Sequence, residues 1–63
     1  MTNLPYECGR VIARAIAAGV VIDAGNVIDL LADNFPFVTL SDLRIALRQT
    51  QFAGRWPDAE ILR

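Results

Sequence analysis

Three groupings of side chains in this sequence have the type and spacing to do chemistry: the thiol of Cys8, the carboxylates of Asp29 and Asp33, and the guanidinium groups of Arg44, Arg48 and Arg55. A cysteine becomes a nucleophile only beside a base that takes its proton. The chain holds no histidine and no lysine, so no imidazole or amine can play that part. The single cysteine also excludes an internal disulfide, and without histidine no ordinary zinc site can be assembled. Asp29 and Asp33 are four apart, on one helical face, where like charges repel slightly. A catalytic or metal role would need further ligands or a cleft, and the sequence supplies neither. The acidic stripe is expected to face solvent or to meet arginines. No metal, no cofactor and no catalytic residue is predicted, and the chain is not expected to be an enzyme.

The arginines suggest a different use. Arg44 and Arg48 recur at helical spacing, and Arg55 follows at the helix exit, a set that could touch phosphates in a helix-turn-helix arrangement. The electrostatic footprint is weak, because six arginines are outweighed by seven carboxylates for a net charge of −1. A solvated face is the expected reading. Trp56 is expected to anchor the small core, although tryptophan is also enriched at interfaces.

Something must position these groups, and 63 residues allow one small domain. With 54% hydrophobic and 21% charged residues the chain is expected to fold rather than stay disordered. The uncharged run from Ala15 to Ile22 is far too short for a bilayer span, which takes about 20 residues. The first ten residues make a poor secretory signal. A soluble protein of the cytoplasm or nucleus is expected.

Helical periodicity dominates. A first helix is predicted from near Pro5 to Gly19, with Cys8, Val11, Ile12, Ala15, Ile16 and Val20 as its apolar stripe. A second is predicted from an Asp23 cap, with Ile22 stapled to Val27 and with Ile28, Leu31 and Phe35 facing inward, to a stop at Pro36. A third is predicted behind a Thr39 cap, with Val38 stapled to Leu43 and with Leu40, Leu43, Ala46 and Leu47 inward, as far as Gly54. Ala59 to Arg63 is expected to add a last turn or two. The fold class is all-α, a small bundle of three to four short helices.

The stretch VIDLLADNFPFVTLSDLRIALRQTQFAGRWPDAEIL, Val27 to Leu62, resembles the CUE domain, a relative of the UBA fold. Phe35-Pro36 closes the first matching helix, as Met-Phe-Pro does in that family. Val38 follows at the family's offset, Leu43 and Leu47 stand at its core aliphatics, and Ile61-Leu62 at its terminal pair. Within the single domain expected over 1–63, the resemblance implies that 23–63 form a three-helix CUE/UBA-like unit, with 1–22 an extra N-terminal helix outside the match. It also implies a binding surface rather than a reaction: an apolar patch of Phe35, Pro36, Ile61 and Leu62 that takes a protein partner such as ubiquitin or a ubiquitin-like protein. Ile12 and Ile16 on the extra helix are candidates for a face that pairs two copies of the chain. The alternatives are a small DNA-binding regulator using Arg44, Arg48 and Arg55, and a small dimeric inhibitor or regulatory subunit dedicated to one protein.

Overall fold

A computed structural model describes residues 3–56 of the chain. Its first helix, α1 (Leu4–Ala17), starts where Asn3 caps it, the Asn3 Oδ1 accepting the Tyr6 N–H at 3.1 Å. Pro5 in the opening turn sacrifices no helical hydrogen bond there. Glu7 in the first turn and Arg14 in the last suit the helix dipole. The helix stops at the predicted glycine. Gly19 takes φ +85°, its N–H donates to Ile16 O, and the Val20 N–H reaches back to Ala15 O, both at 3.0 Å. That pair of bonds closes a Schellman motif, for which glycine carries no Cβ penalty.

An extended stretch then leads to a tight turn at Asp23. The Asp23 carboxylate accepts the N–H groups of Gly25 and Asn26 at 2.9 and 3.0 Å, and the Asn26 Oδ1 accepts the Asp23 N–H at 2.9 Å. Asp23 therefore caps this preliminary turn rather than the helix itself. Asn26 is the N-cap of α2 (Val27–Asn34). Pro36 ends α2 as expected. The α3 helix (Leu40–Arg48) starts at Thr39, whose hydroxyl accepts the Asp42 N–H at 3.1 Å. It ends at Arg48, six residues before the expected stop at Gly54. Thr50 is the reason, because its hydroxyl donates to Leu47 O at 2.8 Å and accepts the Phe52 N–H at 3.1 Å, turning the chain aside.

Among the described residues the three helices are the only regular elements, and no strand is present. Each helix packs on the other two, around Cys8 and Ile12 from α1, Val27 and Leu31 from α2, and Leu43, Ala46 and Leu47 from α3, with Phe52 closing the base. No polar or charged side chain is buried among them. The radius of gyration, 10.5 Å, is close to the roughly 10–11 Å of a folded chain this long. Trp56 is half-buried against the core, as expected. Its indole N–H donates to Ile22 O at 3.3 Å, and its ring centroid lies 6.0 Å from that of Phe52.

Helix lengths explain where the apolar stripes fail to become core. At about 1.5 Å per residue, α1 is roughly 21 Å long while α2 and α3 are roughly 12 and 14 Å. The last turn of α1 therefore overhangs, leaving Ile16 38% exposed and Val20 in solvent. Leu40 is 47% exposed rather than inward, since it stands at the first position of α3, where Val38 already packs on the core. No described helix is long and apolar enough to cross a membrane.

Candidate functional site

The corner between α2 and α3 is built by Phe35, Pro36, Phe37 and Val38. Proline disfavours helical geometry in the residue before it, so α2 gives out at Asn34 and Phe35 adopts φ −131°, ψ 67°. The Val38 N–H then donates to Phe35 O at 3.1 Å, closing a four-residue turn with Pro36 at its second position and Phe37 at its third. Proline presets the φ that the second position of a type I or II turn requires. No described non-glycine residue has positive φ, which excludes type II.

This turn divides its apolar side chains between two environments. Phe35 and Val38, the outer positions, fold back and pack against the core. Phe37, at the tip, is 99% exposed. Pro36 beside it is exposed, and Leu40 adds its half-open side chain three residues on. Of the predicted patch, Phe35 is thus half-buried and Pro36 lies open, while Ile61 and Leu62 fall outside the described residues. Phe37 is the residue that sequence reasoning missed. The signal available was its place next to proline, in a turn, where an aromatic ring has no helix face to hide on.

The remaining candidates are dispersed. Ile12 is fully buried in the core, so it cannot face a second copy; Ile16 is partly open on the overhanging turn. Arg44 is half-buried and its Nε is shielded from water without a hydrogen-bond partner. Arg48 is exposed. Arg55 lays its guanidinium over the rings of Phe52 and Trp56, at 5.8 and 5.9 Å from their centroids, a cation–π arrangement that fixes it to the core's edge. Asp29 and Asp33 both point to solvent. Among the described residues no group of three or more potential ligands is placed to hold a metal ion. Cys8 is buried, and its thiol is pushed up from its ordinary value by that burial and by the Glu7 carboxylate, which keeps it protonated and unreactive.

No family model matches this chain, and neither curated proteins nor solved structures offer a match to it. The class it belongs to is therefore defined by its own geometry: among the described residues, an all-helical unit of three short helices with an aromatic side chain held outside at one corner.

Proposed function

We propose that this chain is a non-enzymatic protein-interaction module of the CUE/UBA-like kind, which grips a ubiquitin-like protein with its α2–α3 corner. The observation that carries this reading is the complete exposure of Phe37. Burying a phenylalanine side chain is worth about 1.5–3 kcal/mol, and here the fold leaves that gain unused. A turn closed by a backbone hydrogen bond and stiffened by proline presents the ring with little further ordering to be done, which favours association. Pro36 and Leu40 supply apolar surface beside it. Ile61 and Leu62 enter the reading through the resemblance alone. A surface of this size implies a weak, transient complex.

The test is an NMR titration of the isotopically labelled chain with ubiquitin, and separately with duplex DNA. The expected result is shift changes confined to residues 35–40 on adding ubiquitin, little altered by salt and lost in Phe37→Ser. Because Phe37 makes no core contact, that variant should keep its stability within about 0.5 kcal/mol. Absence of shifts with ubiquitin would overturn the ubiquitin-like partner. Shifts around Arg44 and Arg48 with DNA, falling steeply as salt is added, would overturn the whole reading in favour of nucleic-acid binding.

A further inference from the structure

A groove of about 370 Å³ runs between the N-terminal half of α1 and the turn that follows α3. It lies at the opposite end of α3 from Phe37, roughly 14 Å along the helix, and owes nothing to the corner already described. Tyr6, Gly9, Arg10 and Ala13 line it from α1, and Gln49 and Gln51 from the segment after α3. From these residues we infer that the groove is a second binding site, which takes an extended peptide segment carrying a carboxylate side chain.

Gly9 supplies the first argument. It sits in the interior of α1, where glycine destabilises a helix relative to alanine. Its φ is not positive, and a Cβ added to it would meet its nearest neighbours, Thr50 Cβ and Cγ2, at an ordinary 3.9 Å. Neither backbone geometry nor packing demands glycine here. What its missing side chain leaves is room beside Thr50, within the lining of the groove.

The walls define the ligand. Among the described residues, Arg10 is the one charged side chain lining the groove, and none of them contributes a carboxylate. Its guanidinium lies 6.0 Å from the centroid of the Tyr6 ring, at cation–π distance, and a guanidinium's N–H groups match the two oxygens of a carboxylate. A single guanidinium among the described lining residues suits a singly charged carboxylate better than a phosphate. The side-chain amides of Gln49 and Gln51, on exposed residues, offer donors and acceptors together, the pairing that a peptide backbone presents in return. Tyr6 and Pro5 add apolar surface for a side chain. The volume falls at the small end of the range for ligand clefts, about 300–1,000 Å³, enough for a few residues of extended chain.

The experiment titrates the labelled full chain with the capped pentapeptide Gly-Ala-Glu-Ala-Gly, with its Gln-for-Glu counterpart, and with sodium acetate. The expected result is saturable shifts at Gly9, Ala13, Gln49 and Gln51 with the acidic peptide. The Gln peptide should bind about threefold more weakly, as for an exposed ion pair, and acetate should give no saturation in the same range. Gly9→Leu should abolish binding. Gly9→Ala should weaken binding while raising the melting temperature, opposite signs that a purely structural glycine would not produce. Phe37→Ser should bind the peptide normally, which separates this site from the corner. Equal shifts from both peptides, undiminished binding by Gly9→Leu, saturation by acetate alone, or no shift at these residues would each overturn the proposal.

Discussion

At the scale of single residues, the three most informative side chains differ in how they meet water. Phe37 is wholly solvated, Cys8 is wholly enclosed, and Trp56 lies between with its one polar atom satisfied by Ile22 O. Cys8 allows a prediction whose sign can be worked out. Its pKa in the folded chain is raised above the ordinary 9.0 by burial first and by Glu7 second, so the folded state holds the proton more tightly than the unfolded state does. Stability from this source is complete below the ordinary value and is lost as pH rises through it toward the folded value. Urea unfolding midpoints should therefore be insensitive to Cys8 near neutrality and should decline above about pH 9. Cys8→Ala should flatten that decline, and a thiol reagent at pH 7.5 should label the native chain no faster than it opens.

Among the helices, what could be read from the sequence was what short-range chemistry decides. The Thr39 cap, the Gly19 stop and the break at Pro36 are each settled within three or four residues, and each forms where it was expected. The start of α2 shifted because Asp23 and Asn26 bond each other reciprocally, making a turn of their own before the helix begins. Features set by relative helix length could not be read: the exposure of Ile16 depends on how far α1 outruns its neighbours, and that of Leu40 on what Val38 already covers. The groove was invisible for the same reason, since its two walls are some forty residues apart in sequence. The caps are open to measurement. Thr39→Ala should cost about 1 kcal/mol in urea denaturation. Gly19→Ala should cost a similar amount, roughly 1–2 kcal/mol, for placing a Cβ at φ +85°. Gly54→Ala should be neutral or slightly stabilising, because Gly54 has ordinary φ and nothing within 4 Å of an added Cβ.

For the molecule as a whole, a core of eight buried side chains among the described residues must hold a chain whose total stability is of the order of 3–9 kcal/mol. Truncating one of them typically costs about 2–5 kcal/mol, a large share of that total. Leu43→Ala should accordingly leave the chain largely unfolded at 37 °C by circular dichroism. Ile45→Ala, two residues away but half-exposed, should shift the midpoint by no more than about 0.5 kcal/mol. The same economy keeps the two candidate binding surfaces apart: both lie at the ends of α3, where removing a side chain leaves the enclosed residues untouched.

The bond from Trp56 to Ile22 O ties the segment after α3 to the link between α1 and α2, thirty-four positions earlier. Trp56 is the sole tryptophan, and it lies against Phe52 and beneath Arg55. Its fluorescence is therefore a native, label-free gauge of whether the last described stretch is docked. Emission colour and quenching will report directly whether that closure holds.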